Sequence, residues 1–372
     1  MIIKSWEYKK EYNFLKKKLI SAINNSLKSG TLFFGNELKK FEKNFLKINK
    51  SKYGIAVASG TDALYLSLKA LNIGHGDEVI TVANTAIPTV SAIINTGAKA
   101  SFVDINNDYL IDIKKLEKSI TKKTKAIIPV HLYGQACEID KILQIAKKYN
   151  LQVIEDCAQA QGSKFKNKNV GNFGITGCFS FYPTKILGAY GDGGFITTNN
   201  KKIFMKLRRL RFYGMEQNDK QNKWNNKYFA NENGTNSRIS EIHLAILNVK
   251  LNYLEKYINR RREIAKMYNI GINNMNIIKP IENKKNFHVY HLYVVAHKNK
   301  NRDTILKIMK KNKIYLGVQY PYPLHTMSAY KDCNYHSLKN TEHFSKKVFS
   351  LPTYPEIENS KVKKIIKIIN NI

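Results

Sequence analysis

The chain of 372 residues holds only four cysteines, Cys137, Cys157, Cys178 and Cys333, and no two form a Cys-x-x-Cys pair. That argues against a disulfide framework and a structural zinc site, and it suits a reducing compartment. Long apolar runs are missing too: none reaches the roughly 20 residues that cross a bilayer, and the start, Met-Ile-Ile-Lys-Ser-Trp-Glu, lacks the apolar core of a secretory leader. A cytoplasmic protein with no membrane partner is therefore expected. Acidic residues are scarce, 28 against 62 Lys and Arg, for a formal charge of +34. Such an excess raises the question of nucleic-acid binding, because clustered Lys and Arg neutralise phosphates. Lysine is spread through the whole chain with Asn and Ile, however, and the densest runs, Lys16–Lys18 and Arg260–Arg262, sit at helical spacing, where solvated faces account for them. No nucleic-acid partner is expected, and a small anionic substrate suits the positive field. Neither GxGxxG nor GxxxxGK[ST] occurs, which removes the main support for dinucleotide and P-loop readings.

What is present is an alternation of short strands and helices. With 43% hydrophobic residues, the chain can bury a large core and a smaller one. Residues 9–28 carry an amphipathic stripe through Tyr12, Leu15, Leu19, Ala22, Ile23 and Leu27, and a second helix is expected from Asn36 to Ile48. From Tyr53 onward, strands at 55–58, 78–82, 100–103, 126–130 and 151–154 are separated by helical stretches, which implies βαβ units and a mainly parallel sheet covered on both faces. A polar stretch at 216–234 has little pattern. A helix is then expected over 239–257, another over 260–270, a strand over 288–296, and helices at 303–311 and after Asn359. The expected division is a large domain over 1–250 and a small α/β domain over 251–372.

The chemistry centres on Gly177–Gly194. Phe179 and Phe181 alternate with Cys178, Ser180 and Tyr182, a strand with one buried face, and Pro183 ends its ladder. Lys185 is thereby presented from a rigid edge into a loop with glycines at 188, 191, 193 and 194. A lysine held neutral in a dry site can condense with an aldehyde. Ser59-Gly60-Thr61 opens a helix and offers free N–H groups to a phosphate, or an ordinary N-cap. Asp156 closes a strand, where the ligand crevice of an open α/β sheet lies; it would bond a cofactor ring nitrogen or simply cap the next turn. His288 and His291, read on one strand, point to opposite faces and cannot share a metal, so both are taken as structural, and no metal site is expected.

Seven stretches in order resemble one family: SGTDALYLSLKALNIGHGDEVI (59–80), PVHLYGQ (129–135), EDCAQAQG (155–162), FSFYPTKILGAYGDGG (179–194), NSR (236–238), RRxIAxxY (261–268) and YPYPLH (320–325). The chain resembles the DegT/DnrJ/EryC1/StrS sugar aminotransferases, pyridoxal 5'-phosphate enzymes of the aspartate-aminotransferase fold. The resemblance implies that Lys185 carries the cofactor and shuttles the proton, that Asp156 holds the ring nitrogen, and that Gly60, Thr61 and Ser180 bind the phosphate, with Asn236 reaching in from a neighbouring subunit. Gln159 would sit near the phenolic oxygen, Ala158 would lie on one ring face, and Tyr182, Tyr190, Tyr320 and His325 would line the sugar pocket. It implies a homodimer that moves nitrogen from L-glutamate, through the pyridoxamine form, to a nucleotide-linked keto-sugar. The HLYGQ stretch leans to C-3 of a dTDP-3-keto-6-deoxyhexose, with a UDP-linked 3-keto or 4-keto sugar next, and a catalytically silent regulator or scaffold as the reading from another class. Three positions depart from the pattern: Ala86 replaces an aromatic that stacks on the ring, Gln161 replaces a frequent His, and His243 stands where Gln is common.

Overall fold

The computed structural model describes residues 2–216 and 229–372. The chain begins with α1 (Lys9–Lys28) and α2 (Asn36–Asn49), then enters β1 (Tyr53–Val57), α3 (Gly60–Ala70), β2 (Glu78–Val82), α4 (Ile87–Ile94), β3 (Lys99–Val103), a short α5 (Ile113–Leu116), β4 (Thr124–Ile127), α6 (Ile139–Lys148) and β5 (Gln152–Asp156). A small hairpin, β6 (Lys164–Phe165) and β7 (Lys168–Asn169), precedes β8 (Thr176–Ser180), β9 (Gly194–Thr198) and α7 (Lys201–Leu210). The helices α8 (Glu241–Leu251) and α9 (Leu254–Gly271) lead to β10 (Ile277–Ile278), β11 (Asn286–Phe287), β12 (Tyr293–His297), α10 (Arg302–Lys311), β13 (Asn334–Tyr335), α11 (Lys339–Ser345), β14 (Val348–Leu351) and α12 (Asn359–Asn370).

Eight strands form one sheet in the order β1-β9-β8-β5-β4-β2-β3-β13. Only β9 runs against its neighbours; the ladders from β8 to β13 are parallel. The parallel strands β2 and β5 are buried almost throughout, as strands of a sheet covered on both faces are. The alternation expected at 177–182 is real: Phe179 and Phe181 enter one core with Phe41, Phe45 and Phe195, while Cys178 faces the other with Ile196. The Phe45–Phe195 and Phe45–Phe179 centroids lie 4.6 and 5.2 Å apart, and truncating any of these rings would cost about 3–5 kcal/mol. A three-stranded sheet, β10-β12-β14, packs its own core of Ile264, Tyr268, Tyr293, Phe349 and Ile365.

Two expected elements differ from the structure. The helix expected through Tyr257 stops at Leu251, and α9 starts at Leu254 rather than 260. The Asn252 amide donates to the Asn248 carbonyl and caps the last turn of α8, so the break needs neither Gly nor Pro. The strand expected over 288–296 starts five residues late, at Tyr293, because Tyr290 takes a left-handed φ of 48° and turns the chain. Most of the polar stretch at 216–234 lies outside the described residues.

Beneath β5, Glu155 is fully buried and accepts the N–H groups of Gly171, Phe173 and Gly174 at 2.7–2.9 Å. His131 Nδ1 accepts the Cys137 N–H, so the proton sits on Nε2, which donates to Glu155 across 3.0 Å. Cys157 is near enough for the three residues' ligand atoms to lie within 4.8 Å, but the His131–Glu155 contact already uses the donor and acceptor that a metal would need. The cluster instead anchors the strand end that carries Asp156. Glu155→Ala is expected to destabilise the protein by about 3–5 kcal/mol, read as the shift in the urea unfolding midpoint, because four donors lose their acceptor at once. A shift under 1 kcal/mol would show that the cluster anchors nothing.

Candidate active site

The carboxyl ends of β1, β2, β4, β5 and β8 lie along one edge of the sheet, where Gly60, Thr61, Asp156, Ser180 and Lys185 fall. At the end of β1, the Ser59 hydroxyl accepts the Asp62 N–H and caps α3. Gly60 and Thr61 follow, and their N–H groups, first in the helix, have no intrahelical acceptor. A Cβ on Gly60 would meet Ser180 Cβ at 2.7 Å, so only glycine lets β8 approach this N-terminus. The Ser180 hydroxyl oxygen accepts the Tyr182 N–H and keeps its own proton for another acceptor. Two free N–H groups and a free hydroxyl proton at a helix N-terminus make an anion seat of the size of a phosphate.

Asp156, at the end of β5, is 4% exposed. Oδ1 accepts the Ala158 N–H at 3.1 Å and Oδ2 accepts the Thr89 hydroxyl at 2.8 Å. Since a carboxylate can only accept, Thr89 spends its proton on Asp156, and Thr85, 3.1 Å from Thr89, must donate to it. Burial pushes the Asp156 carboxyl above its usual range, while the Ala158 N–H, the Thr89 hydroxyl and the Lys185 charge oppose the rise. With Asp156 in the role toward a cofactor ring nitrogen that the resemblance implies, Thr89→Val is expected to weaken cofactor binding about tenfold or more, since one hydrogen bond to a charged group contributes about 1.5–3 kcal/mol. Titrating pyridoxal 5'-phosphate into the cofactor-free protein measures it, and Thr89→Ser should restore the affinity. Equal affinity in Thr89→Val would remove the hydroxyl from the site.

Lys185 lies in the turn after β8, its N–H donating to the Tyr182 carbonyl. Its side chain is partly open to the crevice, and burial pushes its amine down to about 8 against the upward pull of Asp156. The Gln159 amide is fixed at both ends: its oxygen accepts the Tyr133 N–H at 2.8 Å and its nitrogen donates to the Tyr320 hydroxyl at 2.9 Å. Ala158 is half-buried beside them.

The remaining expected residues spread outward. Tyr182 is 52% exposed. Tyr190 is half-buried, with its hydroxyl 3.4 Å from Glu11. His325 is buried, with Nε2 3.1 Å from Glu342 and its ring beside Tyr335. Asn236 is exposed and its oxygen accepts from Arg238 Nε, while the next residue, Ser237, donates to Asp62 and so pins this loop to the start of α3.

The sequence reading set His291 aside as structural; the structure places it within electrostatic reach of Lys185. The turn at Tyr290 buries its imidazole with Nδ1 unpartnered, and burial, then Lys185, then Arg261 hold its pKa well below the usual value. Arg261 also grips the His291 carbonyl at 3.0 Å. His288, by contrast, stacks flat on Tyr290 at 3.9 Å and accepts the Tyr290 N–H on Nδ1, which is a structural role. Thr85, Thr89 and His291 are the crevice residues that sequence reasoning missed; the one available signal was Asn84-Thr85 at the carboxyl end of a strand.

Fold and crevice together define an α/β transferase built around a lysine and a carboxylate at the carboxyl edge of its sheet. The chain belongs to the DegT/DnrJ/EryC1/StrS aminotransferase family, whose profile matches residues 13–370. It is 36% identical to the dTDP-3-amino-3,4,6-trideoxy-alpha-D-glucose transaminase of Micromonospora megalomicea subsp. nigra, over 99% of this chain and 98% of that protein. It is 42% identical to the dTDP-3-amino-3,6-dideoxy-alpha-D-galactopyranose transaminase of Aneurinibacillus thermoaerophilus, over 95% of each. Among solved structures, S. venezuelae DesV in complex with a ketimine intermediate superposes with a TM-score of 0.94 at 33% identity, covering 100% of this chain and 98% of that one.

Proposed function

We propose that the protein transfers the amino group of L-glutamate to C-3 of a dTDP-3-keto-6-deoxyhexose in the biosynthesis of a deoxyamino sugar, with pyridoxal 5'-phosphate as cofactor. The observation that carries this reading is the pairing of a lysine of lowered basicity with a buried, hydrogen-bonded carboxylate beside a free helix N-terminus. The residues fit the cofactor: Gly60, Thr61 and Ser180 hold its phosphate, Asp156 its ring nitrogen and Gln159 its phenolic oxygen, with Ala158 against one face. The cofactor, when bound, supplies an aldehyde that takes up nitrogen and a ring that withdraws electrons. Lys185 contributes an amine of lowered basicity that would move a proton between the cofactor carbon and the sugar carbon. Asp156 keeps the ring-nitrogen proton in place. Tyr182, Tyr190, Tyr320 and His325 border the sugar, and Asn236 of the partner subunit completes the phosphate seat, which makes the working unit a homodimer. Ala86 offers no ring to the other face.

The chain divides at 250/251 in this reading, supported by the separate core of the β10-β12-β14 sheet. Among the described residues no helix is long and apolar enough to cross a membrane, in keeping with work in the cytoplasm. The test is turnover with glutamate and a panel of dTDP- and UDP-linked 3-keto and 4-keto sugars, with the aminated carbon assigned by NMR. Amination at C-3 of the dTDP sugar is expected. Preference for a UDP sugar moves the assignment to that carrier, and cofactor binding with no turnover on any sugar leaves a regulator or scaffold.

A further inference from the structure

Asp156 and Lys185 sit on different stretches of the chain, and one buried side chain joins them. After Asp156 the backbone makes a tight turn, the Ala160 N–H donating to the Cys157 carbonyl at 2.9 Å and the Ser163 N–H to the Ala160 carbonyl at 3.0 Å. Gly162 takes a φ of 81° in this turn, and a Cβ there would strike Ile258 of α9 at 2.5 Å. The turn is thus seated on a helix. Between Ala160 and Gly162 stands Gln161, only 1% exposed.

The Gln161 amide nitrogen donates to the Ser180 carbonyl at 2.6 Å and to the Leu187 carbonyl at 3.3 Å. An amide nitrogen carries two hydrogens, one for each carbonyl. The amide oxygen is buried without a partner, and turning the amide over would set that oxygen against two others, so the acceptors decide which end faces the loop. Leaving a buried acceptor unmade is costly, and Gln161 bears that cost while both of its donors stay on one loop. Between the two carbonyls lie Pro183, which has no N–H to give, and Lys185. The Ala189 N–H on the Phe181 carbonyl at 2.7 Å and the Lys185 N–H on the Tyr182 carbonyl at 2.9 Å close the loop on itself. Gln161 ties it to the Asp156 turn.

We propose that Gln161 is a positioning residue: by holding the strand end at Ser180 and the far side of the lysine turn at Leu187, it fixes the Lys185 amine relative to the Asp156 carboxylate. The inference rests on reading those two groups as partners of one cofactor. A side chain with one donor holds one carbonyl, and an apolar side chain holds neither. In both cases the loop loosens, the amine shifts and water enters beneath it. A displacement of about 1 Å at a reacting group costs about 10²-fold in rate.

The test uses Gln161→Met, which keeps the length of the side chain and removes both donors, and Gln161→Glu, which has one donor when protonated and none when ionised. In Gln161→Met the single-turnover rate with glutamate should fall about 10²-fold, with half-saturating glutamate within about threefold of wild type. Competitive acetylation of the cofactor-free variant should move the Lys185 midpoint up from near pH 8 to about pH 9 or higher, because water relieves the burial that lowers it. In Gln161→Glu the rate relative to wild type should fall as pH rises from about 5.5 to about 8.5, since the carboxylate that forms cannot donate. A lower melting temperature in Gln161→Met, with the rate within about threefold and the Lys185 midpoint within about 0.3 pH of wild type, marks a residue that only stabilises and overturns the proposal. Should Gln161→Met fail to fold, a flat ratio of Gln161→Glu to wild-type rate across that pH range overturns it instead. A wild-type Lys185 midpoint above about pH 10 removes the lysine reading itself, and the role of Gln161 goes with it.

Discussion

Replacing Lys185 by alanine is expected to lower kcat by about 10⁴-fold or more, with the protein still folded and still able to bind the cofactor phosphate. The size of the effect follows from the number of tasks this amine has. In the proposed reading it would be both the nucleophile toward the cofactor aldehyde and the base that carries the proton. Neither Tyr182 nor Tyr320 can take over, since a phenol at neutral pH offers no comparable lone pair. Burial makes the role possible: an ordinary lysine is almost wholly protonated at pH 7.5, whereas one pushed down to about 8 has roughly a quarter of its population neutral there. Basicity and activity thus have separate readouts. Competitive acetylation of the cofactor-free protein, followed by mass analysis of the peptide that contains Lys185, should give a midpoint near pH 8. A Lys185 midpoint above 10, or a Lys185→Ala variant within a hundredfold of wild type, would end the assignment.

Asp156→Asn is expected to lower the rate of the glutamate half-reaction by about 10²–10³-fold. The substitution preserves volume and can still accept the Thr89 hydroxyl, so the fold is retained and the loss reports the charge. At this position the charge is costly to bury. Burial raises its pKa, while the Ala158 N–H, the Thr89 hydroxyl and the nearby Lys185 oppose the rise and favour the ionised form, which in the proposed reading would hold a proton on the ring nitrogen of the cofactor. Single-turnover mixing with glutamate, followed by cofactor absorbance, measures the step. A rate within fivefold of wild type would show that the ring nitrogen has another partner.

The parts of this site that could be read from sequence are those that one short stretch specifies alone. Ser59-Gly60-Thr61 is a cap and a turn, legible because capping is local. The strand before Pro183 was visible through its alternation, and Asp156 through its place at a strand end. His291 was hidden for the opposite reason. Its position depends on a left-handed turn at Tyr290, a residue type that gives no hint of φ above zero, and its electrostatic neighbour Lys185 lies more than a hundred residues earlier. Thr89 was hidden because a hydroxyl in the first turn of a helix after proline has many uses, and only the folded chain shows which acceptor it meets. The break between α8 and α9 is likewise made by an asparagine side chain acting on its own helix.

The two-residue strand β13 comes from the C-terminal portion of the chain yet hydrogen-bonds in parallel to β3, at the outer margin of the large sheet. Asn334 is tied there a second time, its amide donating to Glu78 at 2.7 Å. A fragment ending near residue 250 would therefore expose an unpaired row of backbone donors and acceptors on β3, an adhesive margin that invites fibrillar association. The C-terminal portion acts as a selvedge for the sheet, so expressing the N-terminal portion alone should yield aggregates rather than a working half-enzyme.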